Sequence, residues 1–186
     1  MPNNPESEIR IVVDAMGGDF APHNVVAGAL QSLHETKNRF HIILVGKERE
    51  IKHELHLAKA KNENFSVVHA DETLDMSDSP TAVVKTKRNS SIAVGMFLQK
   101  EKKAEAFVSA GNTGALMAIA GYCLSTIESI DRPAILARLP RKNGSTLLID
   151  AGANVESNSE RLHQFALMGT AVAAALASPG SSRPRV

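Results

Sequence analysis

The chain is organised around the stretch Phe107-Val108-Ser109-Ala110-Gly111-Asn112-Thr113-Gly114-Ala115-Leu116-Met117. A short apolar run breaks at Gly-Asn-Thr-Gly and resumes as Ala, Leu and Met, residues that favour helix. The stretch therefore reads as strand, tight turn, helix. At the start of a helix several backbone N–H groups lack a partner and the peptide dipoles leave partial positive charge, so an anion is welcome there. Gly111 and Gly114 let the backbone approach a ligand, and Asn112 and Thr113 add polar side chains. Gly-x-x-Gly is also an ordinary tight turn, and both readings stand at this point.

Towards the N-terminus, Arg10-Ile11-Val12-Val13-Asp14-Ala15 is a β-branched run of the kind buried on both faces of a sheet, and Met16-Gly17-Gly18-Asp19 ends it. Pro22 opens a helix with Val25, Val26, Ala29, Leu30 and Leu33 on one face. Phe40-His41-Ile42-Ile43-Leu44-Val45 is a second strand ended by Gly46, which completes a βαβ unit. Residues 47–61 predict a polar surface helix with a stripe of Ile51, Leu55 and Ala58, followed by a third strand, Phe65 to His69. Residues 70–81 are an acidic, aperiodic loop. Pro80 begins a helical piece to Thr86, and Ser90-Ser91 begin another.

Beyond the central stretch, its helix runs through Ile119, Cys123 and Leu124 and breaks at Asp131-Arg132-Pro133. Residues 134–139 and 145–150 predict two more strands joined by a hairpin or short loop at 140–144, which makes a mixed sheet possible. Asp150-Ala151-Gly152-Ala153-Asn154 closes the second, and Leu162, Phe165, Ala166, Gly169, Val172, Ala173 and Leu176 mark an amphipathic helix. The resulting expectation is a disordered segment over 1–9, an α/β domain over 10–177, and an aberrant or disordered tail over 178–186.

The chain has 186 residues, 43% of them hydrophobic, enough to bury a real core. A formal charge of +1 with interspersed signs argues against nucleic-acid binding or wholesale attraction to a membrane surface. The polar N-terminus lacks a signal-peptide pattern and no apolar run reaches spanning length, so a cytoplasmic location is expected. The single Cys123 sits on an apolar helix face and reads as packing. His53 and His56 lie three apart without a third ligand, so no metal is expected, and His23 and His163 are weak acid–base candidates.

Alternating strands and helices imply a mostly parallel sheet, whose ligands bind outside the carboxyl ends of the strands. Three strand ends break alike, at residues 14–19, 109–114 and 150–154, each with a small residue, a glycine and a short polar side chain. No Gly-x-x-x-x-Gly-Lys-Ser/Thr and no Gly-x-Gly-x-x-Gly occurs, which disfavours a nucleotide-dependent oxidoreductase.

Ile11 to Asp19 with Pro22, Ser109 to Ala118, Arg132-Pro133-Ala134-Ile135, Leu147 to Asn154 and Gln164 to Gly169 resemble, in order, successive blocks of the bacterial phosphate acyltransferases of phospholipid synthesis. The resemblance covers roughly residues 10–177, about the N-terminal half of such an enzyme. It implies a Rossmann-like α/β/α sandwich, here incomplete at its C-terminus, and a homodimer. It also implies transfer of a fatty acyl group from acyl carrier protein to inorganic phosphate, without a cofactor. The missing half is expected to carry further strands, dimer contacts and a membrane-touching segment. The alternative is a truncated fragment that binds phosphate or a partner and catalyses nothing.

That chemistry asks little of side chains, because phosphate is the nucleophile and a thioester is an activated donor. The expected catalytic contacts are Asn112, Thr113 and Asn154, as donors to phosphate or to an oxyanion. Expected substrate contacts are Gly17, Gly18, Gly111, Gly114 and Gly152 through their backbone, with Lys87, Arg88, Ser90 and Ser91 as a second anion cluster at a helix start. Asp14 and Asp150 repel phosphate, so they orient a cation, accept a substrate hydrogen bond or, more in keeping with their positions, cap a helix. Arg132, Arg138, Arg141 and Lys142 form a basic cluster that suits an acidic carrier protein or simply faces solvent.

Overall fold

The computed structural model describes residues 8–61 and 64–177. The chain divides into two compact units, Met1–Ser125 and Thr126–Val186, and each is described in its own right.

The first unit is built on a four-stranded sheet of β1 (Ile9–Asp14), β2 (Phe40–Gly46), β3 (Phe65–His69) and β4 (Ala106–Val108), in the order β3-β2-β1-β4. All three pairings are parallel, as the βαβ pattern predicts. Successive side chains of a strand face opposite ways, and β2 uses both faces. Ile42 and Leu44 pack with Val26, Ala29 and Leu33 of α1 (His23–Glu35) and Ile51 and Leu55 of α2 (Glu48–Leu57). Ile43 and Val45 pack with Val12, Ala70 and Ala104, against Val94 and Leu98 of α4 (Ser91–Lys100).

An outer layer forms on α4, where α3 (Pro80–Thr86) and α5 (Thr113–Leu124) contribute Val83, Ala115, Ile119 and Cys123 to a cluster with Ile92, Ala93 and Met96. Helices on both faces of a parallel sheet are the expected α/β/α arrangement, and the sheet is open at both edges.

In the second unit β5 (Leu136–Arg141) and β6 (Gly144–Ile149) form their own antiparallel two-stranded sheet, with Arg141 paired to Gly144 across a two-residue turn. The expected turn at 140–144 shortens because Pro140 is a strand residue. It is tolerated there because a two-stranded sheet has only edges, where a missing N–H costs little. Helix α6 (Ser159–Leu176) starts three residues before the apolar pattern suggests, because the Asn158 side chain accepts from the Arg161 N–H at 2.9 Å. It buries Phe165 and Gln164, and the latter exchanges hydrogen bonds with Asp131. Among the described residues, no helix is long and apolar enough to cross a membrane.

Two helices stop sooner than expected. Helix α2 ends at Leu57 where Lys59 takes a left-handed φ of 52°, and α5 ends at Leu124 where Ser125 sits at 63°. The Asp131-Arg132-Pro133 break therefore lies after the end of α5.

Candidate functional site

The parallel register of β1 and β4 pairs Val13 with Val108, so the next residues, Asp14 and Ser109, emerge side by side at the carboxyl edge. The Ser109 hydroxyl donates to Asp14 Oδ2 at 2.7 Å, and Asp14 Oδ1 accepts from the Met16 N–H at 3.1 Å. Ser109 Oγ in turn accepts from the Gly111 N–H at 3.0 Å. Two strand-end turns are thereby locked together by a carboxylate that is only 2% exposed. Asp14 is thus a turn anchor and not a helix cap, since the residue before α1 is Pro22 and makes no side-chain cap bond.

Gly17 explains the glycine in the first turn. A Cβ there would lie 2.5 Å from Asp14 Oδ2 and 2.8 Å from the Gly111 nitrogen, too close for any side chain. Gly18 follows at φ 106°. Gly114 is required for a related reason, because its Cβ would meet Pro80 Cγ at 2.8 Å. Both glycines let protein segments approach each other.

Asn112 caps α5, accepting from the Ala115 N–H at 2.9 Å, while its Nδ2 donates to the carbonyls of Asp75, Met76 and Asp78 at 3.1–3.2 Å. The side chain is 6% exposed and its hydrogen-bonding groups are occupied. Its work is to cap the helix and pin the acidic loop over the turn. With Gly111 N–H taken by Ser109, Ala115 N–H by Asn112 Oδ1 and Leu116 N–H by the Asn112 carbonyl, the Thr113 and Gly114 N–H groups are left at this helix end without an acceptor among the described residues. Thr113 itself is exposed.

The second expected cluster is used internally. Lys87 Nζ bonds Asp78 Oδ2 at 2.6 Å and the Thr73 carbonyl at 3.1 Å. The hydrogen bond to Asp78 holds the lysine above its ordinary pKa, and the same bond holds Asp78 below its own. Ser90 caps α4 through the Ala93 N–H at 3.3 Å and is 0% exposed, and Ser91 is 1% exposed, so neither hydroxyl is open to phosphate. Arg88 remains exposed beside a cavity of about 60 Å³ lined by Val83, Phe97, Ile119, Tyr122 and Cys123. That volume holds a few waters and no long acyl chain. Burial pushes the Cys123 thiol up, as packing requires and a nucleophile does not.

The third turn belongs to the second unit. Asp150 accepts from the backbone N–H groups of Ile135, Ala153 and Asn154 at 2.7–3.1 Å and from Asn154 Nδ2 at 3.2 Å. Burial opposes its charge, but these donors prevail and hold the carboxyl below the usual aspartate range. It too anchors a turn, with Gly152 at φ 110°, and the cap of α6 is Asn158. Asn154 Nδ2 also donates to the Pro133 carbonyl at 3.3 Å.

Arg138 bonds Ser145, and Arg141 and Lys142 are exposed on the hairpin. His23 is held at 2.7 Å by Glu54, and His163 is exposed on α6. No group of three metal-ligating side chains occurs among the described residues. Ser109 and Asp78 carry much of this geometry and are absent from the sequence-derived candidates. Ser109 was legible as the residue that follows a strand, opposite an aspartate in the same place on the neighbouring strand.

The family described as fatty acid synthesis protein matches residues 9–186. A phosphate acyltransferase of Magnetococcus marinus is 46% identical over 178 residues, covering 96% of this chain and 50% of the relative. A phosphate acyltransferase of Carboxydothermus hydrogenoformans is 49% identical over 159 residues, 85% of this chain and 47% of the relative. The chain thus spans about half the length of these relatives. Among solved structures, the EutD phosphotransacetylase of Staphylococcus aureus aligns with a TM-score of 0.65 at 14% identity, over 95% of this chain and 59% of that one. A phosphotransacetylase from Streptococcus pyogenes gives the same TM-score at 18% identity, over 95% and 60%. These two likenesses are of fold.

Proposed function

The chain belongs to the fatty acid synthesis protein family, with phosphate acyltransferases among its relatives, and on that premise we propose that it supplies the phosphate-holding half of an enzyme that moves a fatty acyl group from acyl carrier protein to inorganic phosphate. The observation that carries this reading is the β1–β4 rim, where Asp14, Ser109 and Gly111 lock two turns and leave the Thr113 and Gly114 N–H groups without an acceptor among the described residues.

In the reaction a phosphate oxygen attacks the thioester carbonyl, a tetrahedral oxyanion forms, and collapse breaks the C–S bond. The products are acyl phosphate and the carrier thiolate, which takes a proton from solvent. Backbone donors fixed in advance at a helix N-terminus hold phosphate, or the oxyanion, without reorganising during the step. Asn112 and Asp14 are positioning residues in this scheme, because their own polar atoms are spent on the protein. Arg88 and the hairpin's Arg138, Arg141 and Lys142 offer exposed positive charge to an acidic carrier. Homodimer formation, a cytoplasmic location and membrane contact through the other half belong to the same proposal.

The test is phosphate-dependent loss of acyl-carrier-protein thioester, measured for this chain and for the chain completed with the C-terminal half of the Magnetococcus marinus relative. Turnover by the completed protein is expected, and its absence overturns the reading. The half-length span favours a second reading for the chain alone, a fragment that binds phosphate without turnover. Turnover by the 186 residues themselves would refute that second reading.

A further inference from the structure

The second unit has almost no core of its own. Among its described residues Phe165 is the one hydrophobic side chain that is buried, while Ile127, Leu139, Leu148, Val155, Leu167 and Leu176 are exposed. One hairpin and one helix around a single aromatic ring bury too little apolar surface to hold a folded unit together. The deficit is concentrated on α6. From Ala166 to Ala177 the sequence reads Ala-Leu-Met-Gly-Thr-Ala-Val-Ala-Ala-Ala-Leu-Ala, without a charge. Phe165 and Gly169 mark the side that meets the hairpin, since a Cβ on Gly169 would lie 3.1 Å from Ile149 Cγ2. Leu167, Ala171 and Ala174 recur at i, i+4 and i+7 on the opposite side, and all three are exposed. A helix that is apolar all round belongs in an interior.

We infer that the face of α6 bearing Leu167, Ala171 and Ala174 is a docking surface for the part of the longer protein that the relatives carry beyond the span of this chain, and that this part completes the core of the second unit. The Magnetococcus marinus relative is about twice as long, since the match covers 96% of this chain and 50% of that one. Alanines at 171, 174 and 175 let a strand or helix backbone come close, and a face without charge calls for an apolar segment over it. A second copy of this chain fits less well, because it brings the same uncovered faces and the same missing core. A lipid surface also fits less well, because an interfacial helix needs a polar side rich in Lys and Arg, and α6 has neither after Arg161. The inference rests on the length of the relatives and the exposure of α6, and not on acyl transfer.

The test compares the 186-residue chain with the completed protein, the same chain joined to the remaining half of the Magnetococcus marinus relative. Hydrogen exchange at the amides of residues 170–176 is expected to slow at least about tenfold on completion, as a solvent-facing helix passes into a core. A171E and A174E are each expected to shift the Tm of the chain alone by less than about 2 °C, as exposed substitutions do, and to lower that of the completed protein by at least about 5 °C, since each drives a charge into an apolar contact. The small, neutral A174S is expected to be tolerated in both. Unprotected α6 amides in the completed protein, folded or not, overturn the inference, and so does protection that A171E and A174E leave untouched. Self-association of the chain alone that A174E abolishes would assign the face to a second copy, and sedimentation with phosphatidylglycerol vesicles that A174E abolishes would assign it to lipid; either result overturns it. A completed protein that protects α6 but turns nothing over refutes the acyl-transfer reading and supports this surface.

Discussion

Replacing Asn112 by alanine separates the two tasks of one side chain. Loss of the α5 cap costs about 1 kcal/mol. Nδ2 has two protons to share among three carbonyls, so the clamp is worth two neutral hydrogen bonds, about 1 kcal/mol each. The sum is about 3 kcal/mol, which for a chain of this size lowers Tm by roughly 6–12 °C. N112D keeps an acceptor for the Ala115 N–H but turns a carboxylate towards the carbonyls of Asp75, Met76 and Asp78. It is expected to keep α5 protected while exposing the loop. Urea unfolding gives the total and hydrogen exchange assigns it, with faster exchange over residues 73–79 in both variants and at the start of α5 only in N112A. A loss below about 0.5 kcal/mol for N112A, or unchanged exchange in the loop, refutes the clamp, because surface substitutions without a structural role fall in that range.

Three further perturbations test the turns and the packing. G17A drives a methyl group into Asp14 Oδ2, which is buried and held by Ser109, and into the Gly111 backbone nitrogen, and is expected to cost at least about 2 kcal/mol in urea unfolding. For the Asp78–Lys87 pair, the depressed aspartate contributes stability above its unfolded value and loses it as pH falls through the lowered pKa. The raised lysine contributes below its unfolded value and loses it as pH rises through the raised one. Loop 73–78 is therefore best protected from exchange between the two ordinary values, 3.8 and 10.5, and K87M removes that pH dependence. Cys123 is buried with a raised pKa, so a thiol reagent is expected to modify it only at the rate of unfolding.

The elements were legible because their periods are clean. The doubly buried β1 and β2, the α1 stripe and Phe65–His69 follow from hydrophobic pattern alone. Boundaries drifted where a single residue decides, as at Pro140 inside β5 and at Asn158, whose cap lies outside the apolar period of α6. At the candidate site, the turns were readable but the uses of their residues were not. Asn112 is matched to carbonyls 34 to 37 residues earlier, and Ser90 and Ser91 look like ligands until burial removes them. Gly17 and Gly114 suggest ligand approach in sequence, whereas the space they save is taken by Asp14 and Pro80.

On the function proposed above, backbone amides at the β1–β4 rim bind phosphate. A 15N-amide titration of the chain with inorganic phosphate tests it most directly. Saturable shifts are expected at Gly18, Thr113 and Gly114, weakened in G17A. Amides at these three positions that stay still up to saturating phosphate, in a chain whose spectrum is otherwise well dispersed, would contradict it.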